Sequence, residues 1–445
     1  MDPLAEAALA GAGPEELSRI PVPEEYPAVH LRVEDVDMFG DQTQDERDVR
    51  KSMHLGRVPM PELAPDEVLI AVMSSAMNYN TVWSAMFLPI PTFAFLRHFG
   101  KQGGWAARHD QPHHVLGSDA AGVVVRVGSG VRRWKVGDHV VVSASYVDDQ
   151  DPATHSDGML DADQRAWGFE TNFGSLAHYA VARANQLLPK PGHLTWEEAA
   201  SNLLCGGTAY RMLVSHRGAQ IKQGDVVLIW GATGGLGAYA AQLVRNGGGI
   251  PIGIVGDESK VEPARALGCE VVFNRQEIGL GGSADPVEAG KRLGRAIRGA
   301  VGEDPHVVFE HVGRATFGIS VFVVRRGGVV VTCGSSTGYR HEYDNRYLWM
   351  KLKRVIGSHG ANLQEMAEFN RLVALGRVHS ALNEVFPLEE SAEAARLVQT
   401  NRHVGKIAVL GLAPHAGLGV TDPELRARIG ETAVAPLRTV ATARG

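Results

Sequence analysis

Apolar residues fall along this chain in two different rhythms. Through the first 200 residues they come in short runs: Val68-Leu69-Ile70-Ala71-Val72, Ala121-Gly122-Val123-Val124-Val125 and His139-Val140-Val141-Val142. Glycine, proline or a turn such as Val136-Gly137-Asp138 separates them. Runs of this length and composition between turn formers predict strands, and nothing in this stretch alternates strands with helices. At Gly224-Asp225 the rhythm changes. The pattern predicts a buried strand at 226–230, a glycine loop at 231–237, a helix at 238–246, a strand at 250–255 and a helix at 260–267. Further strands follow at 270–273, 307–310 and 328–332, with a glycine-rich connection at 278–284. Strands alternating with helices predict a parallel, doubly wound sheet. After about residue 365 the rhythm changes again, and the segment through Val409 is expected to return to the first domain. The expected organisation is therefore a β-rich domain over 1–205, a dinucleotide-binding domain over 206–365, and a returning segment and tail over 366–445.

The loop Gly231-Ala232-Thr233-Gly234-Gly235-Leu236-Gly237 stands between a predicted strand and a predicted helix. Glycines let the backbone turn tightly against a pyrophosphate, and the helix N-terminus offers unpaired N–H groups and a positive dipole end. A glycine string alone is a turn; in this α/β setting it predicts a dinucleotide site. The choice of dinucleotide stays open at this level. NAD sites carry an acid at the end of the second strand to hold the ribose hydroxyls. Here that strand ends at Val255-Gly256 and is followed by Asp257, Glu258 and Lys260. Gly256 leaves room for a 2′-phosphate and Lys260 can pair with it, whereas Asp257 and Glu258 would repel it.

Composition narrows the class. With 44% hydrophobic and 21% charged residues the chain has the balance of a globular protein. Its formal net charge of −6 argues against a nucleic-acid partner, which needs a clustered basic surface. Two local basic clusters, Lys291-Arg292-Arg295-Arg298 and Arg346-Lys351-Lys353-Arg354, read as solvated helix faces able to meet phosphates. Three scattered cysteines with no CxxC pair suggest a reducing compartment. The first 20 residues lack the basic and apolar regions of a secretion signal. The apolar run at 321–331 is broken by Arg325-Arg326-Gly327-Gly328, so no membrane span is expected. A soluble cytoplasmic protein follows as the expectation.

Zinc dehydrogenases of this layout need Cys, His and Glu ligands in the first domain. No cysteine precedes Cys205, and where a Gly-His-Glu ligand motif might stand the chain has Gly117-Ser118-Asp119. The His113-His114 pair is a weak metal candidate, because neighbours on a strand point to opposite faces. Hydride transfer without a metal favours reduction of an activated C=C bond, where a conjugated carbonyl accepts the charge.

Six motifs together resemble the crotonyl-CoA carboxylase/reductase family of the zinc-free medium-chain dehydrogenases/reductases. They are Met77-Asn78-Tyr79-Asn80-Thr81-Val82-Trp83, Trp167-Gly168-Phe169-Glu170-Thr171-Asn172-Phe173-Gly174-Ser175, the loop with its preceding Ile229-Trp230, Val308-Phe309-Glu310-His311, the long string 339–350, and Gly357-Ser358-His359. The likeness runs from about Ile20 to Leu412. It implies a Rossmann-type doubly wound parallel sheet plus a β-rich GroES-like catalytic domain, NADPH as cofactor, a homotetramer (a dimer of dimers), and reductive carboxylation of a 2-enoyl-CoA with CO2. The product would be an alkylmalonyl-CoA, a polyketide extender unit. The family's CO2-holding residues fall on Asn80, Phe169, Glu170 and His359. The cofactor candidates are Gly231, Thr233, Gly234, Gly235, Leu236 and Gly237 of the loop, with Lys260 and His311, and the two basic clusters make Arg346 and Lys291 the candidates for the phosphates of the coenzyme A thioester.

The chemistry of those residues suits the task. An enolate at C2 is protonated at once by water, so CO2 must be held close in a dry site. Asn80 and His359 can donate hydrogen bonds to its oxygens, Phe169 can wall the site, and Glu170 can orient a donor. Taken singly, each has a plain structural reading: a turn residue, a satisfied histidine, core. Two departures from the family pattern, Gly360 and Ala120, remove side-chain volume and are expected to leave room for a medium-length or branched acyl group. The competing readings are a non-carboxylating enoyl-CoA or quinone reductase and an inactive binding protein. The retained Asn80, Glu170 and His359 oppose the first, and the intact glycine loop opposes the second.

Overall fold

The computed structural model of the chain describes residues 1–280 and 285–438, so 281–284 of the predicted glycine-rich connection lie outside the described residues. Two compact units result. The first comprises Met1–Leu204 and Leu382–Val434, and the second Cys205–Ala381 with Ala435–Arg438.

The first unit is built on a seven-stranded sheet. Its order runs Leu187–Pro189, His139–Val142, Ala120–Val127, Glu67–Ala76, Lys406–Leu410, Leu382–Pro387, and Tyr179–Arg183 also pairs with Glu67–Ala76. Every residue of Glu67–Ala76 is buried. This strand joins the N-terminal part to the returning segment, since Ala76, Ser75 and Ser74 pair antiparallel with Ala408, Val409 and Leu410. A smaller sheet of His54–Pro59, Glu25–Arg32 and His113–Val115 lies in the same unit. Neither Glu25–Arg32 nor His54–Pro59 is predicted above, because charged and prolyl residues interrupt their apolar pattern.

The second unit carries a six-stranded parallel sheet in the order Val271–Asn274, Ile250–Val255, Val226–Trp230, Val307–Glu310, Val329–Thr332, Arg354–Gly357. Counted in chain order this is 3-2-1-4-5-6, the Rossmann arrangement. Strand Val226–Trp230 is buried throughout, as expected of a parallel strand covered on both faces. Five of the six strands match the sequence expectation to within a residue at either end. The sixth, Arg354–Gly357, is largely exposed at the sheet edge, which explains its polar, unpatterned sequence.

Two expectations need correction. The helix after the glycine loop starts at Gly235, so the loop's last glycines form its first turn. The returning segment begins at Leu382, not 366. Helix Leu363–Ala374 stays with the second unit because its side chains are committed there. Phe369 packs edge-on against Tyr239 at 5.6 Å, and Glu365 accepts from Arg211 at 2.8 Å. Gly206 leaves the space that the Phe369 ring occupies.

His113 and His114 behave as strand neighbours should. The ring of His114 is buried between Thr92 Oγ1 (2.8 Å) and the Thr171 carbonyl (3.2 Å), whereas His113 faces His30 at 6.2 Å. Burial pushes the His114 pKa down from 6.5 to about 4. Between those values the unfolded chain binds a proton that the fold refuses, so this contribution is complete above the ordinary histidine range and is lost as pH falls from 6.5 to about 4. The full loss is roughly 3 kcal/mol. Denaturation midpoints measured from pH 4 to pH 7 should therefore fall on acidification, and His114→Gln should flatten that fall by about one proton. An unchanged slope in the variant would assign the acid sensitivity to other groups.

Candidate active site

Asn80 sits in the first turn of helix Tyr79–Met86, half-buried. Its Oδ1 accepts the Thr81 N–H at 2.8 Å, and a backbone N–H can only donate, so the amide orientation is settled. Nδ2 then donates to Ser118 Oγ at 2.8 Å, which leaves one amide hydrogen without a partner among the described residues. Ser118 is buried and belongs to the Gly117-Ser118-Asp119 stretch noted for lacking zinc ligands. Among the described residues no group of three or more His, Cys, Asp or Glu side chains is placed to hold a metal ion.

Asp119 instead anchors a buried network. Its carboxylate accepts from Lys406 Nζ (3.2 Å), Asn78 Nδ2 (2.9 Å) and the Leu204 N–H (3.0 Å). Lys406 also donates to the Met77 carbonyl at 2.7 Å and to Asn78 Oδ1. These contacts fix the Met77–Asn80 turn from below. Sequence reasoning missed Lys406 and Asn78, and spacing carries no signal for a pair so distant in the chain.

The turn bearing Phe169 and Glu170 packs on the same stretch. Gly168 has φ +69°, and a Cβ there would lie 2.0 Å from the Gly117 carbonyl oxygen, so only glycine fits. Glu170 closes the turn by accepting the Ala166 N–H through Oε2 at 2.8 Å. Phe169 is half-buried beside Phe95, with ring centroids 6.0 Å apart. Buried Asn172 ties the loop down: its Oδ1 accepts the Val115 N–H at 2.8 Å and its Nδ2 donates to the His113 carbonyl at 2.8 Å. Asn80, Phe169 and Glu170 are thus gathered around Gly117-Ser118. Ala120 is not part of this surface. It is 2% exposed and packed among Val68, Ile70, Val72, Val124, Val142 and Trp167.

In the second unit the glycine loop follows the first strand of the sheet, at the point where the strand order reverses. Gly231 has φ +57°, and a Cβ on Gly237 would lie 2.3 Å from the Gly231 oxygen. Gly234 caps helix Gly235–Asn246 without a side chain, so the first-turn N–H groups of this helix remain open to an anion. Thr233 is buried at the loop apex and Leu236 is half-buried in the first helical turn. His311, at the end of the fourth strand, donates from Nε2 to the Trp230 carbonyl at 2.8 Å and packs against Gly231. Burial lowers its pKa, which keeps the ring neutral with Nδ1 as an acceptor. Trp230 Nε1 donates to Ser320 Oγ (2.8 Å), which donates to buried Glu310 (2.6 Å), so the loop's entry is braced on both sides. This geometry fits a dinucleotide pyrophosphate.

At the end of the second strand, Lys260 is buried and Asp257 is turned to the Ser259 hydroxyl. Arg275, unremarked in the sequence, donates its backbone N–H to the Val255 carbonyl at 3.0 Å, and its side-chain Nε lies 3.9 Å from where a Gly256 Cβ would stand. Burial lowers the Lys260 pKa; Asp257 pulls it up and Arg275 pushes it down, which places both charges within reach of Lys260. Gly256, Lys260 and Arg275 thus form a small, basic, uncrowded corner.

His359 is exposed just beyond the edge strand, where the Ser358 N–H donates to the Thr332 carbonyl at 2.8 Å. Gly360 follows with φ +50°, so the glycine answers a backbone demand. Lys291 and Arg346 are exposed, paired with Glu288 (2.6 Å) and Asp344 (2.6 Å), and both lie within electrostatic reach of Tyr347.

Residues 64–192 match the family described as the alcohol dehydrogenase GroES-like domain, and 235–375 that described as zinc-binding dehydrogenase. The chain is 51% identical to a crotonyl-CoA reductase of Streptomyces collinus, over 93% of this chain and 94% of that protein. It is 39% identical to a crotonyl-CoA carboxylase/reductase of Cereibacter sphaeroides, over 83% and 86%. Its structure superposes with a TM-score of 0.96 on the 2-octenoyl-CoA carboxylase reductase CinF in complex with NADP and 2-octenoyl-CoA, at 62% identity over 98% of this chain and 99% of that one. The apo form of that enzyme comes from a Streptomyces species. With a GroES-like unit, a Rossmann sheet and relatives of this likeness along nearly its whole length, the chain belongs to the crotonyl-CoA carboxylase/reductase family of the medium-chain dehydrogenases/reductases.

Proposed function

We propose that this enzyme reduces and carboxylates a 2-enoyl-CoA, with NADPH as hydride donor and CO2 as electrophile, to give an alkylmalonyl-CoA. The setting of Asn80 carries the reading: its amide is held on two sides and keeps one N–H to give. Bound NADPH supplies the hydride that reaches C3 of the thioester. The enolate left at C2 then takes either a proton or CO2, and the side chains decide which. Asn80 donates its remaining hydrogen to one CO2 oxygen, and His359 is the second donor. Phe169, backed by Phe95, keeps water from the enolate. Glu170 spends Oε2 on its own turn and keeps Oε1 to orient a donor.

The corner of Gly256, Lys260 and Arg275 supports NADPH over NADH, since it offers two cations and no competing side-chain bulk to a 2′-phosphate. Lys291 and Arg346 can exchange surface carboxylates for coenzyme A phosphates. Gly360, with the 62% identity to a 2-octenoyl-CoA enzyme, favours an acyl group longer than crotonyl. A 2-substituted malonyl thioester loses CO2 to give a carbon nucleophile, which suits it to chain extension in polyketide assembly. Among the described residues no helix is long and apolar enough to cross a membrane, and none of the three cysteines is in a disulfide, which favours the reducing cytoplasm. We assign the enzyme to a homotetramer. Trp349, Met350 and Leu352 are all more than half exposed beside the unpaired edge of Arg354–Gly357, a surface suited to a second copy.

Steady-state kinetics test the cofactor corner. Arg275→Ala and Lys260→Ala should each lower kcat/KM for NADPH about tenfold or more, the loss expected for one charge-assisted hydrogen bond, and leave NADH use unchanged. Equal losses with both cofactors would assign these residues to folding.

Product analysis tests the chemistry. With bicarbonate and carbonic anhydrase present, wild-type enzyme should yield the alkylmalonyl-CoA, whereas Glu170→Gln and His359→Asn should yield a larger share of the saturated acyl-CoA. A wild-type enzyme that makes only the saturated product would establish the non-carboxylating reading.

The acyl pocket is tested by ranking substrates. Each added methylene is worth roughly 0.8 kcal/mol where space exists, so octenoyl-CoA should exceed crotonyl-CoA in kcat/KM by about tenfold or more. Gly360→Phe should reverse the order, while Gly360→Ala, which carries the φ strain without the bulk, should preserve it. A ranking untouched by Gly360→Phe would remove Gly360 from the pocket.

A further inference from the structure

Ser118 belongs to the buried Gly117-Ser118-Asp119 stretch, and nothing in the reaction as described above uses it. It is 1% exposed, and its Oγ receives one of the two Asn80 amide hydrogens at 2.8 Å. An amide has one plane. With Oδ1 held by the Thr81 N–H and one Nδ2 hydrogen held by Ser118, the direction of the second hydrogen is no longer free. Without Ser118 the amide keeps a single tether and can swing about it.

Ser118 is itself held unusually firmly. The following residue, Asp119, is buried and bound to Lys406, Asn78 and the Leu204 N–H. The Asp119 carbonyl accepts two hydroxyls, Ser75 Oγ at 2.9 Å and Ser175 Oγ at 2.6 Å. Gly117 on the other side is pressed against Gly168 and Gly174. Lys406 also grips the Met77 carbonyl and Asn78 Oδ1, at the root of the helix that presents Asn80. Donor and acceptor are thus fastened to one buried ion pair, and their relative position is set to a hydrogen-bond length.

We propose that Ser118 is a positioning residue that aims the free Asn80 N–H at CO2, and so governs how often the enolate forms a C–C bond rather than a C–H bond. The proposal rests on the reading that Asn80 holds CO2. Ser118 touches neither cofactor nor thioester in this role; it acts only through Asn80.

The test is a double-mutant cycle on the purified full-length enzyme, read as the ratio of alkylmalonyl-CoA to saturated acyl-CoA and as KM for CO2. Ser118→Ala should raise KM for CO2 by about tenfold, the scale of one lost hydrogen bond, and shift the ratio toward the saturated product. NADPH oxidation should fall by a much smaller factor, and the thermal midpoint should stay close to that of wild type. Ser118→Thr, which keeps the hydroxyl, should restore the ratio. Asn80→Ala should shift the ratio at least as far, and adding Ser118→Ala to it should change nothing more, because the two residues act as one unit.

A Ser118→Ala enzyme with wild-type ratio and KM for CO2, beside an Asn80→Ala enzyme in which both change, overturns the positioning role alone. Additive effects in the double variant overturn it too, because they mean Ser118 acts by another route. If Asn80→Ala leaves the ratio unchanged, the assignment of Asn80 to CO2 fails and takes the Ser118 proposal with it. Should Ser118→Ala unfold, Ser118→Cys, a weak acceptor of similar size, should give an intermediate ratio, and a wild-type ratio there counts against the proposal.

Discussion

A buried ammonium holds the first unit's chemistry in place. Lys406 and Asp119 have side chains almost wholly out of solvent, and their ion pair joins residues 287 positions apart. Two isolated charges in such a place would be prohibitive. They persist because each is hydrogen-bonded further, Lys406 to the Met77 carbonyl and Asn78, and Asp119 to Asn78 and the Leu204 N–H. Breaking such a pair costs roughly 3–5 kcal/mol, so the returning strand and the Met77–Asn80 turn are locked together. Ser118, Asn80 and the Gly168–Glu170 turn are all carried by elements this lock fixes.

The second unit depends on a different constraint, the reversal of strand order in its parallel sheet. Strands one and four pair side by side there, and the segments after them meet: the glycine loop from one, His311 from the other. A neutral His311 whose Nε2–H is spent on the Trp230 carbonyl, together with the Trp230–Ser320–Glu310 chain, holds the loop's entry without placing a charge beside the pyrophosphate. The helix N-terminus then supplies the attraction.

A common plan emerges in how polar groups are used. Asn80, Glu170 and His311 each commit one polar atom to their own surroundings and retain another, so what they offer a ligand is already oriented. Where a Gly-His-Glu ligand motif might have stood, Gly117-Ser118-Asp119 turns the same stretch into a clamp: Asp119 holds the elements, and Ser118 holds the amide. The edge residues Trp349, Met350 and Leu352 show the contrary habit, with apolar surface left to solvent in a single copy.

Much of the architecture was legible before any coordinates. Local rhythm reports what one element does alone, and the strand–glycine loop–helix unit is such a case: Val226–Trp230 lies where the pattern puts it and the loop follows it, with only the helix start moved forward to Gly235. So do the strands around Ala120–Val127 and His139–Val142. The motifs of resemblance identified Asn80, Phe169, Glu170 and His359 as residues to watch. Three things needed the tertiary structure. The edge strand Arg354–Gly357 has no apolar alternation because only one side of it is paired. Arg275 comes to Gly256 only through the parallel pairing of the second and third strands, in which Val255 lies opposite Asn274. Lys406 meets Asp119 only because its strand pairs with Glu67–Ala76. Periodicity encodes spacing along one element, whereas these contacts are set by which elements become neighbours, and that is decided by burial over the whole fold.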